Sequence, residues 1–405
     1  MRSGNLELLV GAVFLSALGD WLAVTALALH LEETTGSGLA VAALFIALWS
    51  PLVVFAGPVG LLVDRFDSRR VVVLASIAQA VVATALAFTG SLGPLLVLTV
   101  LLGTANAVSQ PAEFSLIPAV VPEARLPIAN AHVETARFAG FAAGPLLGGI
   151  LVGAGGTRLP LLVNAASFLA IAAAVLLVRQ RAVATARAAD EPLGRARDGI
   201  VFLTGDTILR VVMLVAFASL LFMTASAPAE VFFAKEFLEV GDVGFGALWT
   251  SWFVGMALGG LLLARRFRGS ALAGAALVAI VVQSVGLAAP TLPLVFSFAL
   301  VCYVIGGAAH GTKNVLIRTL LHQRVPARLH GRAFAAYNAL RNGAEMVALG
   351  LGGLLIVTIG ARWTLFLAGV VPAIAGLLGL ALYRKVRRGE PLDPAPEARS
   401  GRDEG

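Results

Sequence analysis

The sequence predicts an all-α membrane protein, with twelve transmembrane helices arranged as two pseudo-symmetric six-helix bundles. Three observations carry this. Of the 405 residues, 59% are hydrophobic and only 13% are charged, and mean hydropathy is +0.90, whereas a soluble domain carries about a quarter charged residues. Apolar runs of about 20 residues, the length that crosses a ~30 Å bilayer core, occur twelve times. Short patterns in the first half also recur, in the same order, in the second. The single cysteine excludes a disulfide framework. The five histidines do not stand at metal-ligand spacing, so no metal site is expected. The net charge of +7 comes from arginines in short clusters between apolar runs rather than along one basic face, which argues against a nucleic-acid partner.

Each span follows from its apolar run and the Gly, Pro or Arg that ends it. The first, Leu6–Leu31, exceeds the apolar core of roughly 7–15 residues typical of a signal peptide, so Met1 is expected to begin the mature protein. Span two, Leu39–Val63, ends at Asp64 and Arg65, and span three, Val71–Thr89, starts after Arg69 and Arg70. Spans four, Pro94–Val121, and five, Pro127–Gly153, meet at Pro122, and span six is Leu159–Val178. The second set is Ile208–Ala234, Phe245–Ala264, Ala271–Ala289, Leu294–Leu321, Ala333–Ile359 and Trp363–Tyr383. Four units follow: an N-terminal bundle 1–178, a central loop 179–207, a C-terminal bundle 208–388 and a tail 389–405. The Pro-, Glu-, Arg- and Gly-rich composition of the tail predicts disorder. The central loop turns amphipathic around Gly199–Leu209, a stretch suited to lying along the membrane surface.

Lysine and arginine placement sets the expected orientation. With the N-terminus inside, 23 of the 30 basic residues fall on the inner side, and only Arg158, Lys235 and Arg362 fall outside. Arg137, Lys313, Arg318 and Arg341 lie within spans. Both termini are therefore expected in the cytoplasm, and the chain in the plasma or inner membrane.

The repeat is specific. Gly60-Leu-Leu-Val-Asp64-Arg65 recurs as Gly260-Leu-Leu-Leu-Ala264-Arg265. Val121-Pro122 with the following Ala-Arg-Leu recurs as Val325-Pro326-Ala-Arg-Leu, and Arg137 and Leu147-Gly148-Gly149 recur as Arg341 and Leu351-Gly352-Gly353. Six spans per half give the repeats parallel topology, an arrangement that places substrate near the midplane between halves.

These residues carry a family resemblance over essentially the whole chain. The segment Gly57-Pro-Val-Gly60-Leu-Leu-Val-Asp64-Arg65-Phe-Asp67-Ser-Arg69-Arg70 resembles the G-x-x-x-D-R-x-G-R-R loop of major facilitator superfamily transporters, with Asp67 where the general pattern has Gly. Gly140-Phe-Ala-Ala-Gly144-Pro145-Leu-Leu-Gly148-Gly149 is similar to the span-five signature associated with antiporters. Thr35-Gly36-Ser37, Asn164-Ala-Ala-Ser-Phe168 and Gly331-Arg332 resemble the subgroup of macrolide and siderophore exporters. Pro111-Ala112-Glu113 departs from that subgroup's Pro-Ala-Arg and reverses a charge. The resemblance implies the major facilitator fold, a gate at the inward end formed by Gly60, Asp64, Arg65, Arg69 and Arg70, and transport as a monomer without a cofactor.

The residues have plainer roles too. The three arginines of the loop keep it inside. Gly140, Gly144 and Gly148, at i, i+4 and i+8, form a smooth stripe for close helix packing, and Pro145 removes a backbone donor. An intramembrane charge costs at least ~2.5–3.5 kcal/mol and so faces a cavity or an opposite charge. On that ground Asp20, between Gly19 and Trp21, is the first candidate for a proton-binding carboxylate, with Glu113, Glu134 and Glu345 as further candidates. Glu113 and Arg137 share a depth of ~15 Å on antiparallel helices, and Glu134 is Arg137's i, i+3 neighbour. Arg341–Glu345 reads as an i, i+4 pair, and His310, Lys313 and Asn314 share one face of span ten. Glu230, Lys235 and Glu236 read as marking the outer mouth. Trp21, Trp49, Asn106, Gln110 and Phe138 are expected to line a mostly apolar cavity suited to an amphiphilic organic compound. No G-x-x-x-x-G-K-[ST] loop for ATP and no nucleophile–base constellation occurs. The expected function is export of a drug or natural product in exchange for protons. The alternatives are a proton-coupled uptake permease and a non-transporting sensor on the same scaffold.

Overall fold

A computed structural model describes residues 4–55, 66–122, 125–177, 196–326 and 329–389, and among them every regular element is helical. The first half contains α1 (Gly4–Thr35), α2 (Gly38–Val54), α3 (Ser68–Ala87), α4 (Leu92–Val120), α5 (Leu126–Gly155) and α6 (Arg158–Leu177). After a short helix, α7 (Ala196–Gly205), come α8 (Thr207–Phe232), α9 (Gly241–Leu258), α10 (Ala271–Ala288), α11 (Phe296–Arg324), α12 (His330–Ile359) and α13 (Ala361–Arg387). Among the described residues, ten helical stretches are long and apolar enough to cross a membrane. The other two expected spans are α2, described for 17 residues, and α11, 29 residues long and carrying His310, Lys313 and Arg318. The later part of span two, with Gly60, Asp64 and Arg65 of the expected gate, lies outside the described residues, as do 178–195 of the central loop and the tail from 390.

Helix limits follow local chemistry. Ser37 accepts from the Ala40 amide to open α2, Asp67 accepts from the Arg69 amide to open α3, and each satisfies a donor that the first helical turn leaves unpaired. The α5 and α12 helices end at Gly156 and Gly360, with φ of 71° and 80°, the left-handed conformation that glycine adopts without penalty. These two glycines are 204 residues apart, the offset that relates Arg137 to Arg341.

Large apolar side chains that point away from the bundle, among them Leu74, Val81, Leu169, Leu214 and Leu378, are more than half exposed. On a soluble protein such a surface would drive association; here it is the face that meets lipid. In the N-terminal half α1 packs on α5 and α6, α3 on α4 and α6, and α2 on α4. In the C-terminal half α8 packs on α12 and α13, α10 on α11 and α13, and α9 on α11. These are the same five pairings shifted by one half, so the weak sequence repeat corresponds to a repeat in packing. The α9–α11 crossing is close because Gly255 and Gly259 face Val304 and Ala308, while Gly307 and Gly311 face Trp252 and Met256. Both α8 and α9 end in a π turn, Phe233–Phe237 and Gly259–Leu263.

The expected amphipathic stretch is a separate helix, α7, which packs on α12 and α8. Leu203 is buried and Phe202 packs against the C-terminal core. Its apolar residues Leu203 and Phe202 therefore pack on the C-terminal bundle. Between α7 and α8, Asp206 accepts from the amides of Ile208 and Leu209, both at 2.9 Å, and from Arg324 Nη1 at 2.7 Å. Burial raises its carboxyl, but the Leu209 amide, Arg324 and the Ile208 amide outweigh it and hold it below the usual range. A lowered folded-state value means stability that is present above the unfolded value and is lost as pH falls through the folded one. Asp206→Ala is expected to cost ~1 kcal/mol, as for other helix caps. Thermal melts of detergent-purified protein should show a lowered Tm at pH 7 that converges with wild type at strongly acidic pH. Equal Tm values at pH 7 would show that the cap is dispensable.

Candidate functional site

The halves meet along two symmetry-related pairs, α5 with α9 and α2 with α12. These contacts lie at the end opposite the chain termini. Gly38 faces Ile356, Gly353 faces Leu39 and Ala42, Gly149 faces the Asp242 carbonyl, and Gly246 faces the Pro145 carbonyl. The Thr250 hydroxyl bridges the α5–α9 seam, donating to the Ala142 carbonyl at 2.7 Å and accepting from the Leu146 amide at 3.2 Å. Lys235 adds an ion pair across the halves, 3.2 Å from Glu32 on α1 and 3.0 Å from Asp242.

Behind this closed end is a cavity of about 480 Å³ shared by both halves. Trp21, Trp49, Gln110 and Phe141 line it from one side, and Met223, Glu230, Trp249, Trp252, Phe253, Met256 and His310 from the other. Arg341, Glu345 and Met346 of α12 complete its wall. Its aromatic rings contact one another: Trp21 lies 4.9 Å from Trp249 and 4.6 Å edge-on from Phe253, and Phe141 lies 5.7 Å from Phe253. The Trp249 indole N–H is buried without a hydrogen-bond acceptor among the described residues, a donor available to a ligand. A pocket of about 190 Å³ extends into the N-terminal half, where Asp20, Glu113 and Arg137 converge with Gln79, Asn106, Gln110 and Asn164. A pocket of about 60 Å³ in the C-terminal half is lined by His310, Lys313, Asn314, Tyr337, Arg341 and Glu345.

Local sequence explains how these side chains reach the cavity. A Cβ on Gly19 would meet Ser167 and Asn164, so glycine beside Asp20 lets α6 approach and brings the fully buried Asn164 into the acidic pocket. In α5, Gly140 faces Phe14, Ala17 and Leu18, Gly144 faces Leu18 and Trp21, and Gly148 faces Leu22 and Thr25. That stripe seats α1 against α5. Gly149 and Pro145 point the other way, to α9, so the one motif serves packing within its half and contact between halves.

Several expected residues stand elsewhere. Glu134 is 3.8 Å from Arg137, but its side chain is 43% exposed and does not line the pocket; Asp20 takes the place expected for it. Arg137 instead lies over the Phe114 ring at 4.8 Å. Phe138 is absent from the cavity wall and packs edge-on against Phe141, which does line it, because one helical turn separates the two. Glu230, expected at the outer mouth, is 8% exposed and lines the cavity beside Tyr303. Arg341 and Glu345 form an ion pair at 2.9 Å. Of the expected gate, Arg70 pairs with Asp67 at 3.9 Å on the surface, and Arg69 donates to the Leu176 carbonyl at the end of α6. Trp249, Trp252 and Phe253 were not singled out from the sequence, although their i, i+3, i+4 spacing puts three aromatics on one face.

Comparison with known proteins gives the family. The sequence matches the Major Facilitator Superfamily over residues 9–348 and again over 281–403. An uncharacterized MFS-type transporter of Bacillus subtilis, YfiS, is 26% identical over 392 residues, 93% of this chain and 92% of that one. A tetracenomycin C resistance and export protein of Streptomyces glaucescens is 32% identical over 146 residues, 36% of this chain and 26% of that protein. Among solved structures, the nucleoside transporter NupG superposes with a TM-score of 0.71 at 14% identity, over 95% of this chain and all of that one. An inward-facing, unoccupied bacterial homologue of the lysosomal transporter Spinster gives 0.71 at 15% identity, over 98% of this chain and all of that one. With a family match across most of its length and the same two-bundle architecture, the chain belongs to the major facilitator superfamily of membrane transporters.

Proposed function

We propose that this protein exports a small amphiphilic organic compound in exchange for protons. The observation that carries the reading is the aromatic cavity between the halves, closed at one end and joined to a pocket with two carboxylates and one guanidinium. Aromatic and methionine walls suit a large apolar body and adapt to different shapes. Asp20 and Glu113 against Arg137 leave one excess negative charge, which one bound proton cancels, so protonation state and local packing are coupled. Short motifs that resemble an exporter subgroup, and similarity to an export protein over 36% of the chain, support the outward direction.

With both termini cytoplasmic, as the arginine distribution supports, the closed end faces outward and the cavity opens inward. Transport then requires the α5–α9 and α2–α12 seams to part while the opposite end closes around Asp64, Arg65, Arg69 and Arg70. All parts needed for this lie within one chain, consistent with a monomer in the inner membrane.

The test uses protein in sealed liposomes with an imposed pH gradient, an internal pH dye and a panel of lipophilic drugs, macrolides and siderophores. Substrate-triggered proton movement opposite to substrate flux is expected. Co-directional movement would establish uptake instead, and binding without any transport would establish a sensor.

A further inference from the structure

The two sides of the cavity differ in charge. The N-terminal pocket holds two acids against one base, but in the C-terminal pocket Arg341 is already neutralised by Glu345 through contacts at 2.9 and 3.0 Å. Lys313 beside them is 3% exposed. Its ammonium touches His310 Nδ1 at 3.3 Å, and among the described residues no carboxylate lies within 4 Å of it. Glu230, the other buried acid of this half, lines the aromatic cavity but not the Lys313 pocket. His310 does not replace an anion: it is held by Gln283 at 3.2 Å and Asn314 at 2.9 Å, and its imidazole carries no negative charge.

Glu345 is the one acid shared by Arg341 and Lys313, so one positive charge stays in excess, and a buried cation in a membrane span that its neighbouring acid does not balance is costly and marks a site. The pocket it lines, about 60 Å³, is several times the ~10–15 Å³ that one water requires, room enough for a carboxylate. Met223, His310, Arg341 and Glu345 line both this pocket and the aromatic cavity, so the two are continuous. We propose that the substrate is an amphiphilic carboxylate, its aromatic or apolar body held between Trp21, Trp249 and Phe253 and its carboxylate held by Lys313. The inference rests on the proposed function only in taking the cavity as the substrate's site. It adds that the substrate carries an anionic group on the side facing α11.

Four of the five tryptophans line the cavity, so binding can be read by fluorescence without transport. Naphthyl-, biphenyl- and anthracenyl-alkanoic acids are titrated into detergent-purified protein at pH 7, each against its methyl ester. Acids are expected to bind at least tenfold tighter than their esters. In Lys313→Met the acid-to-ester ratio is expected to fall to one or below, and Lys313→Arg should restore it; size-exclusion profiles verify folding. Esters binding as tightly as acids, or a preference that survives Lys313→Met, overturns the proposal. If esters are then exported against a proton gradient, the transport reading stands while the anion site falls.

Discussion

Asp20→Asn is expected to abolish gradient-driven accumulation while leaving substrate exchange intact. In a one-for-one antiport, a gradient of two pH units sustains up to ~100-fold accumulation, since each unit is worth 1.36 kcal/mol per proton. Asparagine keeps the volume and hydrogen-bonding of Asp20 but can neither carry the charge nor take up the proton. In the pocket shared with Glu113 and Arg137 it leaves one acid against one base, a neutral set that no longer needs a proton to change conformation. Accumulation should therefore fall to about the level set by substrate equilibration alone. Counterflow between equal internal and external substrate, which needs no net proton movement, should persist. Glu113→Gln at the same pocket tests whether the proton is shared. If Asp20→Asn accumulates like wild type and Glu113→Gln does not, the titrating group is Glu113; if both accumulate, the coupling site lies outside this pocket.

Gly246→Val is expected to hold the protein open at the end opposite its termini. A Cβ at Gly246 would collide with the Pro145 carbonyl, as one at Gly149 would with the Asp242 carbonyl. Neither obstacle is a flexible side chain, so the helices must part. Overpacking of this kind costs ~1–3 kcal/mol. That cost falls on the closed arrangement alone, because the two halves do not touch there once the seam has opened. The equilibrium should shift by about tenfold to a hundredfold at 1.4 kcal/mol per decade. Spin labels on Thr34→Cys and Glu239→Cys, at positions exposed on opposite halves at this end, should report a distance several ångströms longer than in the same labelled pair with Gly246 intact. Inward-side substrate binding should weaken in parallel. An unchanged distance with normal binding would show that the seam yields without opening.

Part of this site was legible in the chain. Asp20, Arg137 and Glu113 stand out because charges inside apolar spans are costly, and the glycines of α5 because their four-residue period makes a smooth stripe. The pairing of charges was less legible. Glu134 pairs with its helix neighbour Arg137 at 3.8 Å but stays 43% exposed, outside the pocket, while Asp20, more than a hundred residues away, shares the pocket. Glu230 looked peripheral because it lies near Lys235 and Glu236, but those two belong to the π turn at Phe233–Phe237, whereas Glu230 precedes it and lines the cavity. Phe138 and Phe141 are one turn apart, and sequence period alone does not say which of the two faces a cavity between bundles.

The sequence by itself determined that this is a twelve-span membrane protein with two related halves, because those facts rest on run length, composition and ordered repetition, all local quantities. Only the tertiary structure decided which seams close, which carboxylates share a pocket, and that Arg341 and Lys313 share the single acid Glu345. Those depend on how helices distant in sequence cross, and the crossings are set by close backbone approaches at Gly149, Gly246 and Gly259. A glycine allows such an approach, but the helix that fills the space is chosen by the packing of the whole bundle.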